Sequence, residues 1–167
     1  MSQKNLFFEG SAHVPLLIMP PQGRSLPQNI SVEAPTDLVD LYPTILAMAG
    51  LSSPVSVSGR NLLEPVPMDR IFFGNSLNRN FCVMEEKLKL VYSAVGDHVL
   101  LFDLNTDPME QHNLAEDPAW QERKAKLWKL LLEHTAQYTP EALDEKGQFL
   151  IYEAPHFPGD VPGRWFG

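Results

Sequence analysis

A single cysteine, Cys82, occurs among the 167 residues. That excludes an internal disulfide framework and a cysteine-rich zinc site. Long hydrophobic runs are also missing. The run at residues 14–19, Val-Pro-Leu-Leu-Ile-Met, is far below the roughly 20 residues a membrane-spanning helix requires, so no span is expected. Ahead of it, Lys4 is followed only by Leu6, Phe7 and Phe8 before Glu9 intervenes, too little for the hydrophobic region of a signal peptide. Basic charge is scarce: 13 Lys and Arg stand against 21 Asp and Glu, for a net charge of −8. With no basic stripe, a nucleic-acid partner is not expected. There is no Gly-rich phosphate loop, Cys-x-x-Cys, His-Glu-x-x-His or Gly-x-Ser-x-Gly. His13, His98, His112, His134 and His156 are scattered, with no two at metal-ligand spacing, and each reads as structural or solvent-exposed.

What is abundant is proline, with 15 residues clustered at 15–35, 54–67 and 155–162. Such clusters read as long irregular connections. A composition of 44% hydrophobic and 20% charged residues is that of a globular chain, and the length suits one domain or one plus an appendage. Residues 14–19 read as a strand buried on both faces, with Pro15 favouring an edge or the strand's first residues. Residues 36–49 show helical spacing, with Leu38, Leu41, Ile45 and Met48 on one stripe, Thr36 as N-cap and Gly50 as stop. Pro43 should either kink this helix or start its main body after a separate turn. Asp37 and Asp40 could pair as ligands, but the electrostatics of a helix start explain both.

Beyond residues 51–69, three β-rich runs appear at 70–74, 81–94 and 99–104. The second is long enough for two strands, or one bent strand, around Glu85-Glu86-Lys87. Gly96-Asp97 signals a hairpin and hence antiparallel pairing. Asp117-Pro118 opens a helix whose apolar stripe is Trp120, Leu127, Leu131 and Tyr138, with Pro140 as its stop. From residue 141 onward, Phe149, Ile151, Trp165 and Phe166 are spaced by Pro and Gly, as in an arm crossing another surface. The expected fold is therefore α/β, one strand and helix from the end of a large mixed sheet, followed by an α+β subdomain in which a small antiparallel sheet packs a C-terminal helix. The boundaries fall at 1–50, 51–140 and 141–167.

Lys4 precedes a glycine-containing turn and the first strand, where a fixed ammonium suits a sulfate- or phosphate-like anion; a solvated lysine is the plainer reading. Four sequence blocks bear on that choice. They are Lys4-Asn5-Leu6-Phe7-Phe8-Glu9-Gly10-Ser11 running into His13-Val14-Pro15-Leu16-Leu17-Ile18; Val39-Asp40-Leu41-Tyr42-Pro43-Thr44-Ile45-Leu46; Ser58-Gly59-Arg60-Asn61-Leu62-Leu63; and Lys87-Leu88-Lys89-Leu90-Val91-Tyr92 with Leu101-Phe102-Asp103-Leu104, Asp107-Pro108-Met109-Glu110 and Asn113-Leu114-Ala115. Together, in this order, they resemble the C-terminal third of type I sulfatases, arylsulfatase-like members of the alkaline phosphatase superfamily.

The resemblance implies hydrolysis of sulfate esters in a complete enzyme, with Lys4 as a sulfate-binding residue and Arg79, in the loop 75–80, at the substrate pocket. It also implies a divalent cation, usually calcium, and a formylglycine made from Cys or Ser in a Cys/Ser-x-Pro-x-Arg motif. Cys82 is followed by Val83-Met84-Glu85, so neither that motif nor its metal ligands are expected in this chain, and by itself it is expected to be inactive. His13 stands where arginine is common in the family. The implied partners are the N-terminal catalytic portion of the same enzyme and a sulfate ester, with a homo-oligomer through an exposed apolar face as a further expectation. If that portion is absent, residues 14–19 and the inner stripe of 36–49 should be left uncovered or be paired with another chain. A sister phosphonate or phosphate monoesterase, a phosphoethanolamine transferase, or a non-catalytic binding or dimerisation module fits the same blocks. Family members are often periplasmic or secreted; nothing in the residues fixes a compartment.

Overall fold

Three tight turns organise the second half of the chain. Each has two successive residues at positive φ: Leu77 and Asn78, Glu86 and Lys87, Gly96 and Asp97. Turns of this hand match the twist of the strands they join. The computed structural model, which describes residues 6–19 and 31–153, accordingly shows one antiparallel sheet in which β1 (Phe72–Ser76), β2 (Asn80–Glu85), β3 (Leu88–Ser93) and β4 (His98–Asp103) lie in sequence order. The 81–94 run is thus two strands, split at Glu86-Lys87.

Register sorts the side chains onto two faces. Phe73, Val83, Leu90 and Leu101 are cross-strand partners on one; Phe72, Met84, Lys89 and Phe102 are partners on the other. α3 (Gln121–Tyr138) covers the first. Asp117 accepts from the Ala119 N–H, and Pro118 leads the 3-10 turn Pro118–Trp120 that feeds the helix. Its buried side chains are Leu127, Leu131 and Thr135, at successive four-residue steps. Tyr138, expected on that stripe, is exposed instead, because it lies in the last turn before Pro140, beyond the sheet-facing stretch. Phe149 is buried among Phe81, Tyr92 and Trp128, which makes it the arm's anchor, whereas Ile151 is exposed. Trp165 and Phe166 lie outside the described residues.

Residues 6–12 cover the other face. Phe7 packs over Gly74, where a Cβ would come within 2.5 Å of its ring, and Phe8 meets Phe102 at 6.0 Å between centroids. α1 (Glu9–Ala12) follows. Cys82, Val91 and Phe102 are buried beneath this layer.

The first half departs from expectation in two places. Residues 14–19 form no strand, and Leu17 is 94% exposed. A strand buried on both faces needs neighbours in its own sheet and layers above and below. The four-stranded sheet closes by hairpins alone and, among the described residues, gives this run no place. α2 (Leu41–Ala49) follows the separate 3-10 turn Leu38–Asp40, so Pro43 stands in the first turn of the main helix, and Gly50 ends it at φ 77°. The cap is Asp37 rather than Thr36. Its side chain accepts from the Leu38 N–H at 2.6 Å, and Asp40 accepts in return from the Asp37 N–H at 2.8 Å. The apolar stripe is partly uncovered, as expected where no other portion lies on it: Leu38 is 76% and Ile45 61% exposed, while Leu41 and Met48 are half-buried. Asp40, Pro43 and Thr44 are buried, because the segment lying against the helix brings backbone donors: the Arg60 N–H bonds Asp40 at 2.7 Å and the Leu62 N–H bonds Thr44 Oγ1 at 2.9 Å. Gly59 approaches so closely that a Cβ there would meet the Val39 carbonyl oxygen at 1.9 Å.

Candidate functional site

The densest polar cluster joins the first and the last of the four quoted sequence blocks. Lys89 lies on β3 in phase with Val91, on the face away from α3, and is 2% exposed. Its Nζ donates to Glu9 Oε1 at 2.5 Å and to Glu110 Oε1 at 2.8 Å. Glu110 Oε2 accepts from the Glu9 backbone N–H at 2.6 Å. Glu110 reaches in from a turn closed by its N–H on the Asp107 carbonyl, and holds φ at 55°. The second Glu9 oxygen meets His13 Nδ1 at 3.0 Å, so His13 is tied to this cluster. Ser11 Oγ, donating to the Leu6 carbonyl at 2.5 Å, folds the preceding residues back on the same turn. A buried ammonium needs this kind of enclosure by carboxylates, since unpaired it would be strongly disfavoured. Chemically the cluster is a fastener, and among the described residues no buried side-chain polar atom lacks a partner.

A second hub is Asp40, fully buried, which also receives the Arg70 guanidinium. Burial alone would raise its carboxyl. The Arg70 hydrogen bond and the backbone N–H groups of Arg60 and Asp37 outweigh that and hold it below the usual carboxylate range. Burial leaves Asp37 above that range. Both acids serve the helix start, as the electrostatic reading expected, and Asp40 in addition pins the chain at 60 and 70.

Arg79 is exposed on the β1–β2 turn, its guanidinium 4.7 Å from the centre of the Tyr152 ring. Asn75 and Asn78 beside it hydrogen-bond Thr139 and Glu141, fixing the turn to the C-terminal end of α3. Arg79 does not join the Lys89 cluster: neighbouring Asn80 pairs with Ser93, four residues and ~13 Å along β3 from Lys89. Lys4 lies outside the described residues. Lys89 and Glu110 were not anticipated as partners, although one signal existed: in Leu88-Lys89-Leu90-Val91, strand alternation puts Lys89 in phase with apolar Val91 rather than with the wet side of a hairpin.

A formylglycine and its metal do not fit these residues. Cys82 is enclosed in β2, its thiol pushed up to about 12 by burial, and a thiol kept protonated is not a nucleophile. Among the described residues, no group of three or more His, Cys, Asp or Glu is arranged to hold a metal ion. No helix among them is long and apolar enough to cross a membrane.

A four-stranded antiparallel sheet with a helix on one face and the Glu9 segment clamped to the other defines an α+β subdomain. No family model matches the chain. It is 34% identical to arylsulfatase K of Bos taurus over 131 residues, which cover 67% of this chain and 24% of that protein. It is also 34% identical to choline-sulfatase of Rhizobium meliloti over 166 residues, 89% of this chain and 31% of the relative. Among solved structures, the phosphonate monoester hydrolase of Agrobacterium radiobacter superposes with a TM-score of 0.50 at 26% identity, over 70% of this chain and 29% of that one. The chain belongs to the sulfatase family and corresponds to its C-terminal portion. It spans about a quarter to a third of the length of the curated relatives it matches.

Proposed function

We propose that this chain is the C-terminal part of a hydrolase of sulfate esters, and that Lys4 binds the transferring sulfate in the complete enzyme. The observation that supports this most is the Lys89–Glu9–Glu110 cluster, which holds the segment five residues after Lys4 against the sheet. A lysine fixed by such a clamp would neutralise charge developing on the sulfate oxygens. In this reading residues 1–50 belong to the large α/β domain and 51–140 to the subdomain that closes the pocket, with Arg79 at its rim. The nucleophile and the divalent cation reside in the N-terminal catalytic portion. That portion would cover residues 14–19 and the outer side of α2, and this chain alone turns nothing over. A phosphonate or phosphate monoester as substrate is the second reading, favoured by the likeness to the phosphonate monoester hydrolase.

The test is to assay the purified chain on an aryl sulfate and an aryl phosphonate monoester, alone and with the catalytic portion of the Rhizobium meliloti relative. Turnover is expected only in the mixture, with Lys4→Ala lowering it ~10²- to 10³-fold. Preference for the phosphonate ester selects the second reading. Turnover by the chain alone refutes the assignment of the chemistry to the other portion. If the mixture stays inactive and the chain self-associates, a binding or dimerisation module is the better description.

A further inference from the structure

The two margins of the sheet are finished differently. Along β4 the outer edge is closed from within the chain. The Leu101 N–H donates to Asn113 Oδ1 at 2.9 Å, the Leu114 N–H donates to the Leu101 carbonyl at 2.8 Å, and Asn113 Nδ2 donates to the Val99 carbonyl at 3.3 Å. Along β1, among the described residues, the backbone pairs with β2 and receives the Arg79 N–H on the Ser76 carbonyl at the turn, and the outer edge has no other partner. An edge strand left in this state ordinarily carries a charge, a proline or a bulge that stops another strand from adding to it. Phe72-Phe73-Gly74-Asn75-Ser76 has no charge and no proline, and its register with β2 is continuous. We propose that β1 pairs antiparallel with β1 of a second copy, about a twofold axis beside Gly74, so that two four-stranded sheets become one.

The register is what points to a second copy. About that axis Phe72 falls opposite Ser76 and Phe73 opposite Asn75, so each ring meets a smaller polar side chain on its own face and no like charges meet. Phe7, half-buried, lies over Gly74 in the space that a Cβ would need. Across the axis the two Gly74 residues would stand ~4.5–5.5 Å apart. That separation brings the two Phe7 rings to aromatic-pair distance, about 4.5–7 Å between centroids. An unrelated strand supplies no such ring. On the opposite face His134 stacks on Phe73 at 3.9 Å, and Tyr138, 4.6 Å from His134, is 58% exposed. A twofold axis perpendicular to the sheet keeps α3 of both copies on one side, which sets these aromatic stacks along the same seam. The interface uses no residue of 14–19 or α2, so it stands independently of the functional reading.

The experiment takes the full chain, of 18.8 kDa, through sedimentation equilibrium across the micromolar range, where a species of twice that mass should grow with concentration. Amide exchange should slow in β1 as the dimer forms, while β4, closed within the chain, keeps the same protection at every concentration. Ser76→Lys places a charge opposite Phe72 of the second copy and should raise the dissociation constant about tenfold or more, with the thermal unfolding midpoint of the dilute monomer unchanged. Phe7→Leu keeps an apolar side chain over Gly74 but removes the ring pair, and should weaken the dimer about 2- to 12-fold. A monomer at all concentrations would overturn the proposal, as would a dimer indifferent to Ser76→Lys. Exchange in β1 that is already slow in the dilute monomer would also overturn it, showing that the chain covers its own edge.

Discussion

The unit formed by β1–β4 and α3 and the region from residue 31 to 70 are held together by different means. In the first, apolar side chains from one face of a sheet meet those of a helix, with Phe81, Leu90, Leu101, Leu127 and Leu131 in one continuous core. In the second, a short helix is fastened by hydrogen bonds to Asp40 and Thr44, while Leu38, Tyr42 and Ile45 face outward. Burial of apolar area is what carries free energy, at about 25 cal/mol per Å². A region that spends its buried side on polar groups and its apolar side on solvent is therefore positioned rather than self-stabilised. Its exposed face has the character of a surface meant to be covered.

Four changes would break or sharpen that contrast. Lys89→Met should have the largest effect, since it leaves two carboxylates facing each other in a buried site; the loss is about 3–5 kcal/mol in denaturant titration. Replacing Glu110 by Gln in the same chain should recover part of it, and no recovery would mean that the cluster is not coupled as its geometry indicates. Leu131→Ala should cost about 2–5 kcal/mol and lower the global midpoint, because it opens a cavity between α3 and the sheet. Asp40→Asn should remove about 1.5–3 kcal/mol of charge-assisted hydrogen bonding, but locally. Amide exchange should quicken in α2 while β2 and β3 keep their protection; a matching loss in the strands would show that the two regions unfold as one.

The same residue sets an acid limit. With its carboxyl depressed in the folded chain, Asp40 contributes stability that is complete above its unfolded value near 3.9 and is lost as pH falls through the lower folded value. Asp37, raised by burial, has the opposite sign, because its protonation on acidification favours the fold and offsets part of that loss. Melting of the α2 region should therefore begin below pH 4, and Asp40→Asn should abolish this acid dependence. The smallest effect belongs to Ile45→Glu, within about 0.5 kcal/mol for the chain alone. If the catalytic portion covers this face, the same substitution should sharply weaken its association in a pull-down.

Much of the fold was legible in the sequence. Asp117-Pro118 starts α3 through its own side chain and ring, Gly50 ends α2 because only a residue tolerant of positive φ closes a helix that way, and Gly96-Asp97 turns the chain between β3 and β4. These are preferences settled within a few residues of backbone. The four blocks that carry the family resemblance are equally local. That residues 14–19 and the apolar stripe of α2 would lie uncovered without the rest of the enzyme was expected; missing were the lack of a strand at 14–19, the inward turn of Asp40 and Thr44, and the pairing of Lys89 with Glu9 and Glu110.

Each of these was decided by what arrives from far along the chain. An apolar run is a buried strand only where a sheet edge receives it, and a stripe of Leu and Ile turns inward only where apolar surface lies opposite. Around α2 the neighbouring segment offered N–H groups, so Asp40 and Thr44 went inside. Lys89 became buried because two glutamates, 80 residues before it and 21 after it, were brought within hydrogen-bond distance. Local chemistry thus determined the elements and where they stop. The tertiary structure alone decided which faces are covered, because burial depends on partners that no neighbouring residue supplies.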